Sequence, residues 1–120
     1  MTDFRKLDPR DWLIGAWQSD RDRTLKEWLY GPKKREELQQ ILERDLGKLI
    51  RRFTASQSSS QFDDQITRTK YRVLWHNADS IFIVHGPKTN ETGEIIRFLS
   101  PDTFWVHCGR NIEYFQRAGT

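Results

Sequence analysis

The sequence has few cysteines and no long hydrophobic run, and both absences exclude classes of protein. One cysteine, Cys108, excludes an intramolecular disulfide and any metal site built from several thiolates. No segment approaches the about 20 consecutive apolar residues of a membrane-spanning helix, and the first residues lack the apolar run of a signal peptide. We therefore expect a soluble protein, cytoplasmic in the form given, or periplasmic or secreted if an upstream signal peptide has been removed.

The net charge is also small, because 20 basic residues are nearly balanced by 17 acidic residues, which leaves only +3. The basic excess lies in residues 1–54, in two clusters: Lys33, Lys34 and Arg35, then Lys48, Arg51 and Arg52. Acidic residues interleave with both clusters, which favours a solvated helix face over a nucleic-acid site. We expect no nucleic-acid partner.

Aromatic residues are abundant, with five Trp and seven Phe among 120 residues. A chain of this length forms one domain, residues 1–120, with one modest core. Its rings either pack that core or line a ligand cavity, and large rings favour a filled interior because they take up the space of a ligand. The rings in question are Trp28, Phe53, Phe62, Tyr71, Trp75, Phe82, Phe98 and Trp105.

The spacing of apolar residues predicts a helical hairpin over about residues 20–46. Leu25, Trp28 and Leu29 share one face of the first helix, and Pro32 is well placed to start the second. Gly47 is typical of the residue that follows a helix.

After Lys48 the apolar period changes from 3.6 to 2, which is typical of strands. Short, turn-rich breaks between the apolar segments, including the serine cluster 56–60, indicate antiparallel neighbours. Seven strands are expected, near residues 12–19, 48–57, 62–76, 80–86, 93–99, 103–108 and 112–118. The predicted fold is mainly β: a single antiparallel up-and-down β-barrel or strongly curled meander sheet of about seven strands, with the helical hairpin inserted after the first.

Two separated segments carry a resemblance to a known family. Gly15-Ala16-Trp17 on the first strand, with Arg117 at the end of Glu113-Tyr114-Phe115-Gln116-Arg117, resembles the signature of lipocalins and the wider calycin group, in particular small bacterial lipocalin-like domains. The resemblance implies that Arg117 packs across the Trp17 ring at the closed end of a barrel. Helices after the first strand are also similar to fatty-acid-binding proteins, in which a helical pair caps the barrel mouth.

Ionisable groups on the last hairpin suggest a site. A three-residue loop at Gly109–Asn111 predicts that His107 faces Glu113, as an acid/base or hydrogen-bonding pair or as a structural ion pair, which is commoner. The ligand-binding candidates are Trp75, Arg97, Trp105 and His107.

The remaining metal-ligating residue types do not form a cluster in the sequence. His76 and His85 lie at or beside turns without a third ligand at metal spacing, so no metal and no cofactor are expected. Cys108 is expected to be a small buried residue.

No motif in the sequence identifies a reaction. The predicted fold is compatible with two functions. The first is a non-enzymatic lipocalin-like domain that binds a small, partly apolar ligand inside the barrel. The alternative is a protein-interaction module, of inhibitor or immunity type, acting through its loops or its basic helical hairpin. An enzyme is not expected, and the oligomeric state is left open.

Overall fold

The computed structural model describes residues 9–29, 35–87 and 89–118. Within these ranges the elements are three helices and eight strands. The helices are α1 (Pro9–Leu13), α2 (Arg21–Lys26) and α3 (Arg35–Asp45). The strands are β1 (Gly15–Ser19), β2 (Ile50–Phe53), β3 (Gln57–Phe62), β4 (Gln65–His76), β5 (Ser80–His85), β6 (Thr92–Ser100), β7 (Thr103–Cys108) and β8 (Asn111–Arg117).

Each strand pairs antiparallel with its neighbours in the chain, and β1 also pairs with β8, which closes the barrel. The closing register places Trp17 opposite Arg117 and Ser19 opposite Phe115. The predicted fold class, a mainly β up-and-down barrel with helices after the first strand, is confirmed. Closure leaves no free sheet edge, and an interior of this size is filled by side chains or holds one small ligand.

The barrel has eight strands where the sequence pattern indicates seven, because the serine-rich segment forms a strand of its own. β3 pairs with β2 on one side and with β4 on the other. Ser58 lies opposite the core residue Phe53, and Ser60 lies opposite Arg51. Serine has a weak intrinsic preference for strands, but strand preference depends on the partners available, and here a strand is available on each side.

The first strand is shorter than predicted, because Trp12 and Leu13 belong to α1. Gly15, with φ of +129°, follows the helix and begins β1. The side chains of Trp12 and Leu13 are buried, and the Trp12 ring lies edge-on to Phe98 with 5.9 Å between centroids. α1 therefore contributes to the core at the end of the barrel where β1 begins.

The predicted helical hairpin is present in part as α2 and α3. The carboxylate of Asp20 caps α2 by accepting a hydrogen bond from the Arg23 backbone amide at 3.2 Å. α2 packs against β8, where the buried hydroxyl of Thr24 accepts a hydrogen bond from the Tyr114 amide at 3.0 Å. α2 ends at Lys26, earlier than the apolar spacing indicates.

The second helix, α3, ends at Asp45, and Gly47 follows it with φ of +89°. This left-handed conformation is the reason a glycine is favoured there. The predicted turn at Gly31 and Pro32, with the basic residues 33 and 34, lies outside the described residues.

The contact expected between Trp17 and Arg117 is present at the closed end. Trp17 is completely buried, and the guanidinium carbon of Arg117 lies 4.2 Å from its ring centroid. Arg117 also donates to the carbonyls of Ile14 and Pro101 at 3.0 and 2.9 Å. The guanidinium thus satisfies backbone groups while its face covers the indole.

Gly15 makes this arrangement sterically feasible. A Cβ atom at Gly15 would lie 2.8 Å from Nη1 of Arg117, and its positive φ disfavours any larger residue. The end of the barrel at Arg117 is called its lower end here. Aromatic rings fill the interior of this half: the ring centroids of Trp17 and Phe104 are 4.6 Å apart, and Phe104 stacks on Phe115 with centroids 5.0 Å apart. This half of the barrel is the packed aromatic core.

Candidate functional site

The upper part of the barrel, away from Arg117, holds a cavity of about 520 Å³. It is lined mainly by hydroxyl, charged and imidazole groups, in contrast to the aromatic lower half. The principal lining residues are Arg51, Ser58, Ser60, Thr67, Thr69, His85, Thr92 and Glu94. The hydroxyls of β3 and β4 occupy alternate positions, as expected for one face of a strand. Small-ligand sites are typically about 300–1,000 Å³, so the volume suits one small molecule.

Four side chains of the cavity wall form a hydrogen-bonded chain, which we call the buried network: Ser58, His85, Glu94 and Arg51. Arg51 donates from Nη2 to Oε1 of Glu94 at 2.7 Å and from Nη1 to Oε2 at 2.9 Å. Nε2 of His85 lies 3.1 Å from Oε1 of Glu94, and Nδ1 lies 3.2 Å from Oγ of Ser58. The four residues come from four different strands, so only the closed barrel brings them together.

The buried network keeps Glu94 ionised. Burial alone raises the pKa of Glu94, but hydrogen bonds from His85 and Arg51, with the charge of Arg51, outweigh it and lower the pKa to about 2. The geometry is bidentate, which is the strong arrangement for an arginine and a carboxylate. Glu94 is therefore a fixed anion at neutral pH, and Arg51 is neutralised by it.

A second carboxylate, Glu113, also points into the barrel. Its Oε2 accepts a hydrogen bond from the Ser19 hydroxyl at 2.7 Å. Burial raises the pKa of Glu113, and repulsion from Glu94 adds to this, whereas the hydrogen bond from Ser19 and the charge of Arg51 lower it. Arg51 thus lies within the electrostatic range of two interior carboxylates but forms hydrogen bonds with only one of them.

The prediction that His107 faces Glu113 is wrong by one residue. The turn between β7 and β8 has two residues, Gly109 and Arg110, so that Val106 lies opposite Glu113 and His107 opposite Ile112. Gly109 has φ of +62°, as a two-residue hairpin with glycine first requires. A register shift of one residue moves a side chain to the other face, so Glu113 faces inward and His107 does not.

Three of the four predicted ligand residues lie outside the cavity. Arg97 alternates with the core residues Ile96 and Phe98, so it lies on the outer face. Trp105 pairs with it there, and their cation–π distance is 5.3 Å. Trp75 is 52% exposed. His107 alone borders the cavity, at its rim. A ligand role for these residues stays a prediction, now for the outer surface.

Other expected surroundings also differ. Cys108 is exposed, although partial burial raises the pKa of its thiol. Arg51, expected on a solvated basic patch, is buried, because it lies on the inward face of β2. His85, expected in a solvated turn, is the last residue of β5, and its side chain is only 18% exposed. Of the rings proposed for the interior, Phe53, Tyr71 and Phe98 are buried, and Phe62 is exposed.

Sequence reasoning missed two residues of the buried network, Ser58 and Glu94, and gave the other two, Arg51 and His85, different surroundings. Ser58 lies in the segment assigned to a break, and Glu94 attracts no notice among many surface carboxylates. A signal was present, because Glu94 precedes the core residues Ile96 and Phe98 at two-residue spacing. A charged residue that shares the two-residue spacing of core residues on a strand is predicted to face the interior, as an apolar residue there would be.

A larger hollow of about 720 Å³ lies outside the barrel, between the start of α2, the residues after α3 and β8. Its charged side chains already have polar partners, inside the hollow or beside it, and the hollow is open to solvent. The pairs include Arg21 with Asp22, Arg44 with Asp45 and Gln116 with Asp20. We therefore regard the interior cavity as the better candidate site.

Comparison with known proteins found no family model, no curated protein and no solved structure that matches this chain. No helix in the described ranges is long and apolar enough to cross a membrane. The same residues hold no group of three or more His, Cys, Asp or Glu side chains placed to bind a metal ion. The fold and the cavity are therefore the evidence on function.

Proposed function

We propose that this protein is a non-enzymatic, lipocalin-like domain that binds a small, partly apolar ligand in the barrel cavity. The observation that supports it is a cavity of about 520 Å³ whose wall contains a prearranged polar network. Arg51 and Glu94 are held by each other before any ligand arrives, so little ordering is needed on binding. The Trp17–Arg117 contact in an eight-stranded closed barrel supports the lipocalin-like part of the proposal.

The lining indicates a ligand with both apolar and hydrogen-bonding parts. Thr67, Thr69 and Thr92 each present a methyl group and a hydroxyl to the cavity. The aromatic core below is filled, which keeps the ligand in the upper half. Small-molecule sites combine apolar surface with a few precisely placed polar groups, and this cavity has both.

The neighbourhood of Ser58 supports binding over catalysis. A serine beside a histidine and a carboxylate suggests a nucleophile, but acyl transfer also needs backbone or side-chain donors for the developing oxyanion. The backbone around Ser58 is paired on both sides, with Phe53 on β2 and Thr69 on β4. We expect no hydrolysis of p-nitrophenyl acetate that depends on Ser58, and loss of hydrolysis in Ser58→Ala would contradict the non-enzymatic proposal.

A cavity-filling substitution tests the site. Ser60 faces the cavity, whereas its neighbour Ser59 pairs with Arg52 and Arg68 on the outer face. Ligand-observed NMR with a set of small aromatic and aliphatic alcohols and amides should detect binding to the parent protein. Ser60→Leu should abolish it by occupying the cavity, and Ser59→Leu should leave it unchanged.

Two results would contradict this function. One is no binding by any member of the set at millimolar concentration. The other is equal loss of binding in Ser60→Leu and Ser59→Leu, which would mean that the effect is not local to the cavity. Circular dichroism of both variants establishes that each remains folded, since an inward leucine can disturb packing.

An exposed surface favours a second candidate function, the binding of a protein partner. Side chains on the outer face of β4–β7 form what we call the outer aromatic band: Trp75, Phe82, Ile95, Arg97, Trp105 and His107. Backbone pairing links Trp75 to Phe82, Phe82 to Ile95, and Arg97 to Trp105. Exposed apolar surface of this kind often marks an interaction site.

The charge of the outer aromatic band indicates an acidic partner. Arg97 has no ion pair with any carboxylate in the described part of the chain, and its Nε is buried without a hydrogen-bond partner there. The band itself contains no acidic residue. An acidic, apolar segment of another protein would pair with Arg97 and cover the rings.

Charge reversal tests this second function. Arg97→Glu should prevent capture of an acidic partner from the native lysate. Arg72→Glu is the matched control, because Arg72 is exposed and already paired with Glu91 at 3.0 Å. Equal capture by the two variants would contradict a role for the outer aromatic band.

A further inference from the structure

The hydrogen bonds of the buried network determine where the proton of His85 lies. An ionised carboxylate only accepts hydrogen bonds, and a guanidinium only donates them. Both oxygens of Glu94 accept from Arg51, and Oε1 also faces Nε2 of His85 at 3.1 Å. Nε2 must therefore donate, so when the imidazole of His85 is neutral, its one proton is on Nε2.

The opposite nitrogen then determines the orientation of the Ser58 hydroxyl. With the proton on Nε2, Nδ1 of His85 is an acceptor, and Oγ of Ser58 lies 3.2 Å from it. A hydroxyl has one proton and two lone pairs. Because the Ser58 hydroxyl donates its one hydrogen bond to Nδ1 of His85, it can only accept a hydrogen bond from a ligand in the cavity.

We propose that the cavity recognises, at Ser58, a ligand group that donates a hydrogen bond, such as a hydroxyl or an amide N–H. This inference rests on the proposed binding function and specifies the ligand class. Purely accepting groups, such as ethers, tertiary amides, carboxylates and phosphates, are disfavoured at this position because they would place lone pairs against lone pairs.

Arg51 does not reverse this preference for donors. Its guanidinium is almost completely buried and donates from both terminal nitrogens to Glu94, whose charge offsets its own, so it offers little attraction to an anion. Ser60 and Thr67 have hydroxyls that can either donate or accept. The Thr69 hydroxyl donates to the Lys70 carbonyl at 3.4 Å, a long contact that leaves it able to turn toward a ligand. The requirement for a donor therefore arises mainly at Ser58.

Protonation of His85 should invert the preference. An imidazolium donates from both nitrogens, so Ser58 would accept from Nδ1 and turn its own proton toward the cavity. The titratable and charged groups that face His85 from neighbouring strands are Glu94 on β6, Arg51 on β2 and Tyr71 on β4, whose ring centroid is 6.4 Å away. Glu94 is ionised throughout the range in which histidines titrate, because its pKa is lowered to about 2.

The test uses two probes of nearly the same shape, phenol and anisole, which differ in the ability to donate a hydrogen bond. Long-range ¹H–¹⁵N spectra, with His85→Gln for assignment, should show His85 protonated at Nε2. NMR titration at neutral pH should show phenol binding about threefold to tenfold more tightly than anisole, the ratio that one net hydrogen bond gives. The preference should fall and then reverse over the pH range in which the His85 resonances report its protonation.

A pair of variants of equal side-chain size isolates Ser58. Ser58→Thr keeps a hydroxyl and should keep the phenol preference. Ser58→Val replaces the hydroxyl by a methyl group that also covers Nδ1 of His85, so phenol and anisole should bind equally. Both residues suit a strand, which keeps the folds comparable.

The possible failures are distinguishable. Equal binding of phenol and anisole to the parent protein, or a His85 proton on Nδ1, would overturn this inference while leaving a binding cavity. A phenol preference that survives in Ser58→Val would also overturn it. Absence of binding by either probe would overturn the proposed function, and the inference with it.

Discussion

Replacement of Glu94 by glutamine should weaken the fold in a manner that depends on pH. Glu94→Gln keeps the size of the side chain and one acceptor but removes the charge that pairs with Arg51. Arg51 is buried and would lose its charged partner. Breaking one member of a buried pair is costly because an uncompensated charge remains.

The magnitude follows from the pKa of Glu94. The carboxyl has an ordinary value of 4.5 and a folded value of about 2. Because the folded pKa is lower, its stabilisation is fully present above pH 4.5 and is lost as the pH falls toward 2. A difference of this size corresponds to about 3 kcal/mol at neutral pH. Glu94→Gln should therefore cost about 3 kcal/mol at pH 7 and progressively less between pH 5 and pH 2.

Urea denaturation followed by tryptophan fluorescence at several pH values measures this cost. Glu91→Gln is the matched control, because the Glu91–Arg72 pair lies on the outer surface, and exposed pairs contribute about 0–1 kcal/mol. A deficit in Glu94→Gln that stays constant from pH 7 to pH 2.5 would refute the linkage. A deficit no larger than that of Glu91→Gln would refute the stabilising role of the buried network.

Three further predictions concern stability in the same urea assay. Trp17→Ala should cost about 3–5 kcal/mol, because the ring is completely buried. Trp75→Ala should cost under about 1 kcal/mol, because 52% of that residue is exposed. Similar losses in the two variants would contradict the placement of Trp17 in the core at the closed end. Gly109→Ala should cost about 1–2 kcal/mol through its positive φ alone, since no atom of the described residues lies within 4 Å of its Cβ position. An unchanged urea midpoint would contradict the turn type. Glu113→Gln should stabilise the protein at pH 7, because burial raises the pKa of Glu113 and ionising it opposes folding; the gain should vanish at acid pH, and destabilisation at pH 7 would oppose this account.

The overall architecture could be predicted from the sequence because its signals are local. The change of period after Lys48, the turn residues between apolar segments and the helix signals after Asp20 each depend on a few neighbouring residues. The pairing of Trp17 with Arg117 spans the chain, and it was predicted only because a family resemblance links the two positions.

The candidate site could not be predicted, because it depends on long-range pairing and on register. A turn of two residues in place of three at Gly109 puts Glu113 inside the barrel and leaves His107 outside the core. Backbone pairing on both sides makes a strand of the segment around Ser58, which local preference assigns to a break.

The sequence by itself determined the fold class, because apolar residues that face the core alternate with polar residues that face water along each strand. Only the tertiary structure decided which polar residues share the interior. Arg51 and Glu94 are 43 positions apart and meet because β2 and β6 face each other across a closed barrel. A carboxylate on one strand carries no local mark of a partner on a distant one, so their contact exists only once the barrel has closed.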